Sequence, residues 1–364
     1  MNQPFFNTGL PAIPVENLQF GLDTFGDNQR ASTSPDADFV SNAQTIRNVV
    51  QQAILADELG IYAINLGEHH RPDFAISAPD TVLAGIASVT KNIILGTGVT
   101  VLSSDDPVRV FQRFSTMDAL SNGRAEITAG RGSFIESFPL FGYSMEDYEV
   151  LFEEKLDLLV KLWRQEKVTW TGSTRTGLTD QVVYPRTEDI PGRGTQMGIR
   201  VGVGGSPESV VRAARHGVPM ALAIIGGDPA RFAPFAKLYF DYLAKLDQPV
   251  LPVSVHSPGH IAETDEAAIE QMWPYYSEMY GRLGRERGWG AMDKSHYLQE
   301  VNHGSMYVGS PETVAQKIAY AVRSVGATRF DLKYATGPMP HELLMNSIEL
   351  YGTKVIPLVR EMLA

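Results

Sequence analysis

The chain contains no cysteine, which removes three chemistries at once: disulfide frameworks, zinc–thiolate sites and thiol nucleophiles. That fits a reducing compartment, and the expected location is the cytoplasm. Basic charge is also scarce. With 31 Lys and Arg against 42 Asp and Glu, the formal net charge is −11. Neither nucleic acid nor an anionic membrane surface is an expected partner, because binding either requires clustered cations that displace counterions. Long apolar runs are missing as well. No stretch reaches the roughly 18 residues of a membrane span, and residues 1–17 carry no basic segment followed by an apolar one. What is present is ordinary for a globular protein: 43% hydrophobic and 20% charged residues over 364 positions, enough for one large core and compatible with a single α/β barrel.

Short apolar runs alternate with longer amphipathic segments from Leu18 onward, the pattern of repeated βα units feeding a parallel sheet. Eight runs read as strands: Leu18–Phe25, Tyr62–Glu68, Ile93–Val101, Arg124–Gly130, Ile199–Gly204, Met220–Ile225, Val250–Ile261 and Arg329–Tyr334. Eight is the number that closes a (β/α)8 TIM barrel, and the predicted organisation is one such domain over residues 1–364. Helix starts share one grammar, a short capping side chain followed by proline: Asp106-Pro107, Ser206-Pro207, Asp228-Pro229 and Ser310-Pro311. Gly60 and Gly123 close two helices as C-cap residues. Phe152, Leu156, Leu159, Val160 and Trp163 fall at helical spacing and read as core. One segment, residues 165–198, breaks the alternation; rich in Thr, Gly and Pro, it predicts a hairpin insertion near the C-terminal face of the barrel.

Barrels of this kind carry their chemistry on loops after the C-terminal strand ends, and four such ends hold polar or glycine-rich sequence. In Asn65-Leu66-Gly67-Glu68-His69-His70, strand alternation sends Asn65, Gly67 and His69 inward, with Ile64 and Leu66 outward. His69 is the candidate for chemistry and His70 looks elsewhere; a hydrogen-bonded core histidine is the other reading. Adjacent histidines on a strand cannot share a metal and no HExxH spacing occurs, so no metal site is predicted. The two glycines of Gly96-Thr97-Gly98-Val99-Thr100-Val101 fit either a flat ligand approaching the backbone or a kinked strand. Arg131, in Ala129-Gly130-Arg131-Gly132, has a planar donor fork suited to a phosphate or carboxylate, and equally to a surface salt bridge. Gly204, Gly205 and Ser206 lead into a helix start whose N–H groups and dipole favour an anion; Ser310 repeats that grammar, so capping alone also accounts for it. The Walker lysine, the GxGxxG register and the GxSxG elbow are absent, which argues against nucleotidases, nicotinamide Rossmann domains and serine hydrolases. If Arg131 and the Gly205-Ser206 turn grip one phosphate while the glycine strand receives a flat ring, the geometry is that of a flavin mononucleotide site.

In order and spacing, the chain resembles the luciferase-like monooxygenase family. The residues that carry the resemblance are Leu66 to His70, Leu95-Gly96-Thr97-Gly98, Pro107-Val108-Arg109, Ser121-Asn122-Gly123-Arg124, Gly130-Arg131-Gly132, Gly204 to Ser209 with Arg212-Ala213-Ala214, and Met339-Pro340-His341-Glu342. The likeness runs through most of the chain and is weakest across the insertion. It implies a (β/α)8 barrel that binds FMN, or in a sister branch the deazaflavin F420. Carried over by position, it implies Arg131 and the Gly205 and Ser206 amides on the phosphate, His69 as the active-site histidine acting as a general acid/base near neutral pH, and a non-prolyl cis peptide at Gly98–Val99 under the flavin ring. It further implies a two-component monooxygenase, in which a separate reductase supplies reduced FMN and O2 is used to oxygenate a small organic substrate, working as a homodimer or tetramer. An F420-dependent hydride transferase and a non-catalytic flavin-binding protein are the alternatives. One residue departs from the pattern. Luciferase carries a reactive cysteine immediately before the arginine matched by Arg131, where this chain has Gly130, so light emission on a long-chain aldehyde is not expected.

Overall fold

Strand β1 (Gln19–Thr24) shows the rule that shapes the molecule: Phe20 and Leu22 are buried in the apolar core while Gly21 and Asp23 face the opposite side, as the two-residue period of a strand requires. The computed structural model describes residues 10–11, 14–34, 36–132, 134–186, 197–288, 290 and 292–364. After β1 come α1 (Asn42–Glu58), β2 (Ala63–Leu66), α2 (Pro79–Ala87), β3 (Ile94–Thr97) and the short β4 (Thr100–Val101). Next are α3 (Pro107–Leu120), β5 (Ala125–Gly130), α4 (Ser137–Phe141), α5 (Tyr148–Arg164), β6 (Lys167–Trp170) and β7 (Leu178–Val182). Then follow β8 (Gly198–Val203), α6 (Pro207–His216), β9 (Met220–Ala223), α7 (Ala233–Lys245), β10 (Val253–Ile261), α8 (Asp265–Arg287) and α9 (Lys294–His303). The last elements are β11 (Tyr307–Gly309), α10 (Pro311–Val325), β12 (Arg329–Lys333), α11 (His341–Leu350) and α12 (Ile356–Leu363).

Eight strands hydrogen-bond in the order β1-β2-β3-β5-β8-β9-β10-β12, and β12 pairs back onto β1, every pairing parallel. This closed (β/α)8 barrel is the predicted architecture, and each of the eight predicted runs supplies one of its strands. Parallel neighbours need a crossover, and the helices between them supply it. Two local differences appear. The run Ile93–Val101 is divided into β3 and β4 at Gly98–Val99, where the peptide is cis. β11, paired to β10, escapes sequence reading because three residues are too few to show a period.

The proline-marked helix starts are real caps. Asp106 accepts from the Val108 and Arg109 amides, Ser206 from Ser209 and Ser310 from Thr313, while Asp228 caps a short 3-10 turn before α7. β6 and β7 form an antiparallel hairpin held to α5 by Trp170 Nε1 donating to Asp157 (2.9 Å) and the Ser173 amide donating to Glu154 (2.9 Å). Arg175, between its strands, pairs with Asp106 at the start of α3 (3.1 Å), which brings the hairpin tip toward the C-terminal face of the barrel. Residues 187–196 of the predicted insertion lie outside the described residues. Among the described residues no helix is long and apolar enough to cross a membrane.

Inside the barrel, charge replaces the branched aliphatic layers usual in this fold. Arg329 donates from Nε to Asp331 and from Nη1 to Glu126, both at 2.8 Å. Arg200 pairs with Glu126 at 2.8 Å and Asp331 at 3.2 Å, and donates to Ser254 Oγ at 2.8 Å. Asn65 Nδ2 donates to Asp331 (3.2 Å) and to the Leu22 carbonyl (2.9 Å). Two guanidiniums and two carboxylates thus form a buried box without net charge. Neighbouring glycines make room for it: a Cβ on Gly96 would lie 2.2 Å from Asn65 Oδ1, and one on Gly198 would lie 2.9 Å from Glu126 Cγ.

Candidate active site

Above the ionic box, at the C-terminal strand ends, the lining changes to small residues. Gly98, Val99, Gly202, Ala221 and Ala223 are half-buried and Gly204 is exposed, so this part of the mouth is open to solvent. Val99 wedges between β5 and β8. A Cβ on Gly130 would lie 2.5, 2.8 and 2.9 Å from Val99 Cγ2, Cβ and Cγ1, and one on Gly202 would lie 3.1 Å from Val99 Cγ1. Position 130 is therefore glycine because position 99 is valine, which gives the departure from luciferase a steric cause. Gly130→Ala is expected to cost about 1–3 kcal/mol by overpacking, and Val99→Gly in the same chain to return part of that loss. Urea midpoints check this; a Gly130→Ala protein as stable as wild type would remove the steric argument.

His69 lies on the loop after β2, its ring 4.4 Å from that of Phe25, 4.5 Å from Phe74 and 5.0 Å from Phe134. It is only 8% exposed. Burial in this cage, followed by the positive charges of Lys333, His70 and Arg71, pushes its pKa down to about 3. With so little water around it, the ring is held in its neutral form at neutral pH. The cavity beside it, lined in part by Glu68, Val101 and Glu136, measures about 10 Å³, room for about one water. Its pKa is depressed from an ordinary 6.5, so the unfolded chain takes up this proton first. Stability is thus expected to fall as pH drops from near 6.5 toward about 3. Proton NMR of the His69 ring should show no titration between pH 5 and 8; a midpoint inside that window would contradict the caged, neutral assignment. His70 turns away, as predicted, to Glu68 (3.0 Å), whose other oxygen accepts from the Val101 amide (2.9 Å).

The cage is clasped from outside by Arg71. Its guanidinium pairs with Asp73 (3.1 Å), Glu136 and Glu286 (2.6 Å) and lies 4.9 Å over the Phe134 ring. Sequence reading misses this residue, and also Phe25, Phe74 and Phe134, because they come from separate loops that only the closed barrel brings together.

Farther round the mouth, Arg131 follows β5 and Gly204-Gly205-Ser206 follow the adjacent β8. Register pairs Ala129 with Val201, so both segments leave the barrel at the same end and on neighbouring strands. Glu149, at the start of α5, joins them: it meets Arg131 at 2.5 Å and Arg212 of α6 at 3.2 Å. Arg131 also lies 5.3 Å over the Tyr148 ring. Of the two readings open for Arg131 in the sequence, the salt bridge is the contact seen, on an exposed partner. Gly205 has a φ of +95°, a left-handed value that turns the chain into α6, and Ser206 Oγ accepts from the Ser209 amide (3.3 Å). Among the described residues, no group of three or more His, Asp or Glu could hold a metal ion. A separate cleft of about 260 Å³, lined by Glu153, Asp157, Trp170 and His216 among others, lies against α5 and the hairpin and takes no part in this mouth.

Known proteins resemble this chain in sequence over part of its length and in fold over nearly all of it. The chain is 34% identical over 133 residues to an uncharacterised protein of Sinorhizobium fredii, covering 36% of this chain and 38% of that one. It is 29% identical over 184 residues to the N-acetyl-S-alkylcysteine monooxygenase of Bacillus subtilis, covering 50% and 52%. These curated relatives are thus matched over about half their length or less. Among solved structures, the oxygenating constituent of 3,6-diketocamphane monooxygenase from Pseudomonas putida, in complex with FMN, superposes with a TM-score of 0.72 at 19% identity, covering 94% of this chain and 98% of that one. The coenzyme F420 dependent tetrahydromethanopterin reductase of Methanopyrus kandleri gives 0.67 at 16%, covering 93% and 99%; at such identities the likeness is one of fold. The family model for luciferase-like monooxygenases matches residues 18–329, and the chain belongs to that family.

Proposed function

We propose that the chain is a cytoplasmic flavin-dependent monooxygenase that binds FMN at the barrel mouth and oxygenates a small organic molecule with O2, taking reduced FMN from a separate reductase and working as a homodimer or tetramer. The observation that carries this is the placement of Arg131 and the start of α6 at the same end of adjacent strands, beside a floor of small residues. The residues fit the group. Gly98, Val99, Gly202, Ala221 and Ala223 form a half-buried floor of small residues, with Gly130 packed beneath Val99, and Arg131 with the Gly205 and Ser206 amides offers the donors a phosphate needs. Gly98 and Val99 would carry the ring, and Gly204 would let the chain pass close to the ribityl phosphate. Reduced flavin supplies the two electrons with which dioxygen is activated. The chain's own part is to anchor the phosphate, present a dry aromatic wall of Phe25, Phe74 and Phe134 against water, and offer His69 as a neutral hydrogen-bond partner.

The FMN-bound relative by fold supports this reading; the F420-dependent one keeps a hydride transferase as the second. Equilibrium titration of the purified chain with FMN, riboflavin and F420 separates them. Tight FMN, weaker riboflavin and little F420 is the expected order, and preference for F420 would overturn the FMN assignment. Binding of FMN without accelerated reaction of its reduced form with O2 would favour a non-catalytic flavin carrier.

A further inference from the structure

Phe25 stands between two histidines. On one side is caged His69; on the other His256, at the inward face of β10, stacks on the same ring at 6.3 Å with a 12° interplanar angle. His256 Nδ1 lies 3.6 Å from Asp23 Oδ2. Asp23 is 1% exposed and its other oxygen, Oδ1, is buried with no partner. The same carboxylate underlies the cis peptide, since a Cβ on Gly98 would sit 2.0 Å from Asp23 Oδ2. His256 keeps 17% of its side chain exposed against 2% for Asp23, so with Nδ1 turned inward its Nε2 is left for the mouth. We infer that His256 is the residue that passes a proton to the reacting oxygen, with Asp23 as the residue that positions it, a role that rests on the flavin reading above. In the reaction without substrate, dioxygen takes two electrons and one proton from anionic reduced FMN and a second proton from His256, leaving oxidised FMN and hydrogen peroxide; His256 is reprotonated from water at the mouth.

The charged groups facing His256 are Asp23 on β1, two strands away, Asp331 in register on β12 and Lys333 two positions beyond; β9 presents only Ala221 and Ala223. Two measurements test the inference. The first treats apo wild-type chain with diethyl pyrocarbonate at pH 7 and maps the product by mass spectrometry. His256 is expected to be modified before His69, and FMN to protect it. The second mixes photoreduced FMN with O2 and follows hydrogen peroxide from pH 5 to 9. His256→Gln is expected to lower the bound rate by about 100-fold and to flatten its pH dependence, with FMN affinity within about threefold of wild type. Asp23→Asn should lower the bound rate by less than His256→Gln does and leave its pH dependence in place, because the ring loses its positioning partner but is itself retained. An unchanged rate and profile in His256→Gln, or no protection by FMN in wild type, overturns the inference. Should His256→Gln fail to fold, the wild-type protection measurement decides alone. Failure of wild type to bind FMN overturns the flavin reading and the inference together, whereas FMN binding with an unaltered profile overturns only the inference.

Discussion

Arg131→Ala is expected to weaken FMN binding by about 10- to 100-fold while leaving riboflavin affinity within about twofold. A hydrogen bond to a charged group contributes roughly 1.5–3 kcal/mol, and each 1.4 kcal/mol is about tenfold in affinity. The two flavins differ only in the phosphate, so the contrast isolates the anion site from the ring floor. Arg131→Lys, which retains charge but loses the fork, should fall between wild type and alanine. Glu149 supplies an internal control. Its carboxylate already meets Arg131 and Arg212, and an arriving phosphate must share or displace it, so Glu149→Gln should tighten FMN and leave riboflavin unmoved. Raising salt should weaken FMN more than riboflavin, because the partners are partly exposed and screened. Isothermal titration or flavin fluorescence gives all four comparisons. Equal losses for FMN and riboflavin in Arg131→Ala would mean that the phosphate is held elsewhere.

The barrel was readable in the sequence because its rule is local. Each strand buries one set of alternate residues in the shell under the helices, and proline after a capping side chain marks four of the helix starts. The candidate mouth residues were readable for the same reason, as strand ends are where polar residues interrupt apolar runs. The same period applied to β1 and β10 would have found Asp23 and His256: Leu22 and Val255 go outward to the core, which leaves Asp23 and His256 inside. What a linear reading could not supply was environment. His69 reads in sequence as an inward-facing acid/base candidate or a hydrogen-bonded core histidine, but only the closed barrel shows that three aromatic rings from loops after β1, β2 and β5 close on it and suppress its charge. The pairing of Val99 with Gly130 is likewise a contact across neighbouring strands, invisible to spacing along the chain. Asn65 was rightly sent inward, but its partners Arg200, Arg329 and Asp331 lie 135 to 266 residues away.

Those partners carry the largest expected effect on stability. Replacing Arg329 by Met, or Asp331 by Asn, should cost about 3–5 kcal/mol, because removing one member leaves its opposite charge buried and uncompensated. The box has no water to fall back on: Arg329 is 3% exposed and Asp331 likewise. Burial alone would raise the Asp331 carboxyl, but the Arg329 and Arg200 guanidiniums reverse this and hold it below the usual carboxylate range. The sign follows directly. A carboxyl depressed in the folded state contributes stability that is present above its unfolded value near 4 and is lost as pH falls through the folded value. Wild type should therefore lose stability steeply below about pH 4, and Asp331→Asn should lose less over that same range while starting lower at neutral pH. The double variant Arg329→Met with Asp331→Asn should be less destabilised than the sum of the singles, since each removes a charge the other would strand. Urea unfolding at pH 7 and pH 4 measures both effects. If Asp331→Asn costs under about 1 kcal/mol at neutral pH, the box is not what holds the barrel interior together, and its charges must be better solvated than their burial implies.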